Sequence, residues 1–164
     1  MPSVYLETTI PSYLAASPSR DLIVAAHQQI THQWWHTAPV AFELFVSEYT
    51  LTEIAAGDPA TARVRMSYVD GLTVLRFTDE VLDLADLYER RLGLAGKGRA
   101  DVPHFAFAVA YNYNMDYLVT WNCSHIANGY VVRRLHVINQ ELGRSTPIIV
   151  TPEELLLPDS GSSQ

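Results

Sequence analysis

What most constrains this chain of 164 residues is a repeated alternation of short aliphatic runs with longer stretches of helical periodicity. VYLETTI (residues 4–10), the segment from Val40 to Val46, LTVLRF (72–77), YLVT (117–120) and PIIVT (147–151) read as strands. Strands this short and this apolar are covered on both faces, as strands joined by helical crossovers are. The segments between them carry helix signals. Leu22, Ala26, Ile30 and Trp34 repeat every fourth position over residues 20–36 and predict one buried helix face. Asp58 followed by Pro59 marks a helix start, and TDEVLDLADLYERRLG (78–93) begins with a capping threonine and ends at glycine. ADVPHFAFAVAYNYN (100–114) predicts a strongly apolar central helix, and residues 129–143 another. The expected fold is three-layered α/β: a central parallel sheet of about five strands flanked by helices.

Composition sets the remaining bounds. A length of 164 residues with 48% hydrophobic and 18% charged residues suits one domain with one core, expected over residues 1–157, with 158–164 as a frayed, disordered tail. Apolar runs break well before the ~20 residues that cross a bilayer, and the N-terminus has no basic segment leading an apolar one, so a cytoplasmic protein is expected. One cysteine, Cys123, cannot form an internal disulfide, in keeping with a reducing compartment. A net charge of −7 argues against a protein that coats nucleic acid by broad attraction. Local basic clusters remain: Arg90, Arg91, Lys97 and Arg99 precede the central helix, and Arg133 adjoins Arg134. Clustered arginine suits phosphate, and it equally suits a solvated helix surface.

Parallel sheets gather chemistry beyond the carboxyl ends of their strands. Four polar residues fall there: Glu7 at the exit of strand one, Glu53 in the helix after strand two, Asp101 at the start of the central helix, and Asn122 after strand four. Carboxylates brought together need compensation, since two unit charges about 4 Å apart repel by about 4 kcal/mol at an effective dielectric of about 20. A hard divalent cation on oxygen ligands, Mg2+ or Mn2+, supplies it. Ordinary roles also exist. Thr50 and Glu53 fit a capping box, Asp101 a helix-start charge, and Asn122 a turn or cap. Glu7 has no such alternative, because glutamate is a poor strand residue and no cap is needed after VYL.

VYLETTIPSYL, SEYTLTEIAAGD, ADVPHFAFAVAYNYNMDYLVTWNCSHIAN and PIIVTPEEL together resemble the PIN domains, in particular the VapC-like toxins of type II toxin–antitoxin systems. The resemblance implies a PIN-like fold and a Mg2+- or Mn2+-dependent ribonuclease that hydrolyses RNA phosphodiester bonds. By position it implies that Glu7, Glu53, Asp101 and Asn122 are catalytic, with Glu7, Glu53, Asp101 and Asp116 the metal ligands. Thr8, Thr120, His125 and Arg99 are the expected substrate contacts. It also implies single-stranded or structured RNA, a cognate antitoxin and a homodimer as partners. Glu7 departs from the commoner aspartate, and Asn122 keeps an oxygen while losing a charge. The neutral Asn122 leaves a second expectation open, a module with weakened catalysis that acts by binding RNA or protein.

Other chemistries lack their residues. No P-loop and no G-x-G-x-x-G occurs. A haloacid dehalogenase-like phosphatase needs Asp-x-Asp where this chain has Glu7-Thr8-Thr9, and a receiver domain needs a late lysine where the one lysine is Lys97. His32 and His36 have zinc-pair spacing, but Gln33 replaces the glutamate of H-E-x-x-H. Cys123 and His125 sit too close in sequence to face one another as nucleophile and base.

Overall fold

A computed structural model describes residues 1–110 and 112–158. Five parallel strands, β1 (Ser3–Leu6), β2 (Glu43–Ser47), β3 (Thr73–Leu75), β4 (Tyr117–Val119) and β5 (Ile148–Val150), form one sheet in the order β3-β2-β1-β4-β5. Among the described residues the helices are α1 (Thr9–Ala15), α2 (Leu22–Ala41), α3 (Glu48–Ile54), α4 (Pro59–Val69), α5 (Asp79–Leu92), α6 (Lys97–Val109) and α7 (Gly129–Glu141), with a 3-10 turn at Pro152–Leu155. None is long and apolar enough to cross a membrane.

Side-chain alternation along the strands produces the three layers. Tyr5 of β1 and Leu118 of β4 enter a core with α5, α6 and α7, including Tyr88, Phe105, Phe107 and Leu135. Val4, Leu6, Val46 and Val119 enter a second core with Ile10, Leu14, Trp34 and Ile54 on the opposite face. The order reverses at β1, which pairs with β2 on one side and β4 on the other. Such a reversal opens a crevice outside the carboxyl ends of the strands. Glu7 is the first residue beyond β1, and the pairing of Leu6 with Val119 brings it beside Thr120.

Several local expectations shift. The strand expected from Val40 begins instead at Glu43, because α2 continues to Ala41. Trp34 and Ala38 lie a turn apart on its buried face, and Phe42 N–H closes the last turn on Ala38 O at 2.9 Å. Pro39 is tolerated near this end, while Val40 is 82% exposed. The buried stripe of α2 is Gln28, Thr31, Trp34 and Ala38, and Leu22, expected inside, is 86% exposed. Two polar residues hold that stripe. Gln28 bonds Ser17 O and Ser19 N–H, and Thr31 Oγ1 accepts from Trp121 Nε1 at 2.7 Å. Helix α3 starts at Glu48 with Ser47 as its cap, so Glu53 lies in its last turn and no capping box with Thr50 forms. Helix α6 starts at Lys97, which moves Asp101 one turn inside the helix rather than at its start. Of the expected tail, residues 159–164 lie outside the described residues.

Candidate active site

Glu7 is buried, 3% exposed, and its charge is held by three donors on Oε2. Thr9 gives its backbone N–H at 3.0 Å and its hydroxyl at 2.6 Å, and Thr120 gives its hydroxyl at 2.8 Å. The two threonines are themselves fixed: Trp121 N–H donates to Thr9 Oγ1 and Asn122 N–H to Thr120 Oγ1. A buried carboxylate without partners costs several kcal/mol, and these two hydroxyls and one backbone N–H offset it.

Glu53 arrives from α3 and its Oε1 receives two short bonds, from Thr8 Oγ1 and from His104 Nε2, each 2.6 Å. Burial works against its charge, but the hydrogen bond and charge of His104, with the Thr8 hydroxyl, outweigh it and hold the carboxyl below its ordinary value. His104 comes from α6 and is fully buried. Its other nitrogen, Nδ1, meets Tyr5 Oη at 2.6 Å, and that hydroxyl also reaches Ser47 Oγ at 2.8 Å and Thr50 Oγ1 at 3.2 Å. Burial pushes the Tyr5 phenol well up, so it stays protonated. Tyr49 packs edge-on against His104, with ring centroids 5.1 Å apart, and donates to Ala100 O. Burial, with the negative charges of Glu53 and Asp101, pushes its phenol up to about 12.

Ligand atoms of Glu7, Glu53 and His104 all lie within 4.8 Å of one another. This cluster joins the end of β1, the last turn of α3 and the middle of α6. Asp101 falls outside it and forms a second group, in which its Oδ2 accepts from Asn122 Nδ2 at 2.8 Å and faces His125 Nδ1 at 3.1 Å. Both groups meet at an open cavity of about 390 Å3 lined by Glu53, Lys97, Ala100, Asp101, Asn122, Ser124 and His125.

Of the expected site residues, Glu7 bonds Thr120 and Glu53 bonds Thr8, the two carboxylates meeting in the cluster, and Asp101, Asn122 and His125 form the neighbouring group, which Asn122 N–H joins to Thr120. Two are not brought in. Asp116 precedes β4 at the amino end of the sheet, where its carboxylate accepts from Ser3 N–H at 2.7 Å and Ser3 Oγ at 3.0 Å. It clamps β1 to β4 at the end opposite the crevice. Arg99 is exposed and paired with Glu89 of α5, so the cation lining the cavity is Lys97. His104 is the addition. Its signal in the sequence was its spacing of three from Asp101 on one helix, which places both on neighbouring positions of a face.

No family model matches the chain, and no curated protein matches it. Among solved structures it superposes on a chain of VapBC2 from Rickettsia felis bound to a DNA fragment from their promoter. The TM-score is 0.57 at 15% sequence identity, covering 90% of this chain and 97% of that one. The fold is PIN-like. At that identity the PIN-like likeness speaks for architecture, and the chemistry rests on the residues above. Their donor set, two carboxylates and an imidazole, fits a divalent cation. An imidazole among the donors suits softer first-row ions better than Mg2+, which prefers oxygen throughout.

Proposed function

We propose that this PIN-like chain is a metal-dependent ribonuclease that hydrolyses RNA phosphodiester bonds as the toxin of a toxin–antitoxin pair. The carrying observation is the convergence of Glu7, Glu53 and His104 from three separate elements on one small volume beside an open cavity. These three side chains would hold Mn2+, or less readily Mg2+. When bound, such a cation supplies Lewis-acid polarisation of a phosphate and acidification of water. Thr8, Thr9 and Thr120 fix the carboxylate rotamers so that little ordering remains to be done on binding. Lys97 brings a positive charge to the cavity wall, where a phosphate would sit. The cavity admits a single strand, or a loop of a structured RNA, more readily than a stiff duplex. An antitoxin partner belongs to the same reading, supported by the likeness to a VapBC complex, and a homodimer and a cytoplasmic setting are proposed with it.

Cleavage of a single-stranded RNA by the purified chain, with Mn2+ and with a chelator, tests the reading. Glu53→Gln and Glu7→Gln should abolish Mn2+-dependent cleavage; cleavage that persists in chelator, or in Glu53→Gln, would refute it. One observation favours a second reading, a PIN-like module that binds without cutting. In the described arrangement Glu53 and Asp101 already face His104 and His125, and Glu7 is held by hydroxyls, so the acidic group is compensated internally. No heat of Mn2+ binding at millimolar metal would decide for that module.

A further inference from the structure

The two histidines at the site are held differently. His104 is fully buried and uses both ring nitrogens. His125 is one-third exposed, with a relative side-chain exposure of 34%, and uses one. A closed loop of three bonds fixes it: its backbone N–H donates to Asn122 Oδ1 at 3.0 Å, Asn122 Nδ2 donates to Asp101 Oδ2, and that oxygen faces His125 Nδ1. Gly98 leaves room for the ring. A Cβ at that position would lie 3.0 Å from His125 Cδ2 and 3.3 Å from Cγ, so any side chain there would make the imidazole give by a few tenths of an ångström. Nε2 takes no partner from the described residues, and the ring lines the cavity with Glu53 and Lys97.

A carboxylate on one nitrogen and an open cavity at the other is the arrangement of a positioned proton-transfer group. Resting on the ribonuclease reading, we propose that His125 donates the proton to the leaving oxygen of the scissile phosphodiester, with Asp101 and Gly98 as positioning residues. Water adds through its oxygen to phosphorus as the bond to the leaving oxygen breaks. The bonding pair stays on that oxygen, which takes the Nε2 proton of protonated His125 and departs as a hydroxyl. The water's own proton passes to solvent, from which His125 is reprotonated. One water is consumed, and one diester becomes a monoester and an alcohol. Asp101 holds the ring throughout by its contact with Nδ1.

Two substrates separate this role from metal binding. RNA leaves as a poor alkoxide and needs a proton, whereas bis-para-nitrophenyl phosphate releases a stable phenolate without one. His125→Gln should lower RNA cleavage by about 10²- to 10⁴-fold and leave turnover of the activated diester near that of the parent. Gly98→Ala, which displaces the ring without touching its chemistry, should show the same split to a smaller extent. Asp101→Asn should lower kcat for RNA with KM little changed. Calorimetry with Mn2+ should give the parent affinity in His125→Gln. The assignment is overturned if both substrates slow alike, if RNA cleavage is untouched, or if Mn2+ binding is lost with the imidazole. A parent chain that cleaves neither substrate refutes the ribonuclease reading and the proton donor together; a parent that cleaves both leaves the reading standing whatever His125→Gln does.

Discussion

Replacing His104 by phenylalanine isolates what the buried polar network contributes. The ring is retained, so no cavity opens, but two bonds of 2.6 Å are lost. Tyr5 keeps Ser47 and Thr50 as partners, so its loss is that of one ordinary hydrogen bond, about 0.5–1.5 kcal/mol. Glu53 loses a charge-assisted bond, about 1.5–3 kcal/mol, towards the lower end because its side chain is 29% exposed and can turn to water. The sum is about 2–4 kcal/mol, which in a domain of this size lowers Tm by roughly 5–15 °C.

Thermal unfolding followed by circular dichroism, first in chelator and then in Mn2+, reads both roles of His104. In chelator the variant should melt earlier by the amount above. Mn2+ at a hundred times its dissociation constant stabilises a binding fold by about 2.7 kcal/mol, so the parent should gain roughly 5–10 °C and His104→Phe much less. Equal melting of parent and variant in chelator would show that the network adds nothing to stability. Equal gains in Mn2+ would remove His104 from the ligand set.

Tyr5→Phe leaves His104 Nδ1 without its partner, and Mn2+ affinity measured by calorimetry should fall about 10- to 100-fold while the fold is retained. Asp116→Ala should lower Tm by several degrees, from about 1–2 kcal/mol of lost strand clamping, and leave Mn2+ affinity unchanged. Burial, and secondarily Glu154, pushes the Cys123 thiol above its ordinary value of 9.0. The thiolate is the reactive form, so alkylation of Cys123 at neutral pH should run slower than that of free cysteine, with its half-maximal rate at a pH above that value. Glu154→Gln should move that midpoint down.

Elements whose signals are local were legible in the sequence. Asp58-Pro59 starts α4, Thr78 caps α5 and Gly93 ends it at φ 66°, because each satisfies or terminates a helix by itself. Glu7 could be singled out for the same reason: a charge on an aliphatic strand has no local excuse. What needed the third dimension was less accessible. Whether Asp116 or Thr120 joins Glu7 depends on which end of β4 meets the crevice, which the parallel register of β1 and β4 decides. The face of α2 was misplaced because Gln28 and Thr31 are buried by their hydrogen bonds, and apolar periodicity does not see such residues. His104 was hidden by the opposite effect. It stands in an apolar helix among Phe105, Ala106 and Phe107 and reads as part of the core, which it also is.

The partners of His104 bear on whether one residue could serve the site both without and with the proposed cation. In the neutral tautomer that carries its proton on Nε2 and donates it to Glu53, Nδ1 accepts, and Tyr5 Oη can donate to it. A cation held by His104 would take the Nε2 lone pair, and the ring would then carry its proton on Nδ1 with Tyr5 accepting. A phenol with one neighbour could not reverse at no cost, since its own hydrogen would then be buried unpaired. Tyr5 has two further neighbours, Ser47 Oγ and Thr50 Oγ1, either of which can donate or accept, so its hydrogen has somewhere to turn. Thr50 in turn can donate to Leu6 O at 3.3 Å, which anchors the chain of hydroxyls on β1 itself. The row of small hydroxyls behind His104 therefore lets the imidazole change tautomer while the heavy atoms of the site stay in place, which an apolar wall would not, and this is what the proposed role as a metal ligand would require.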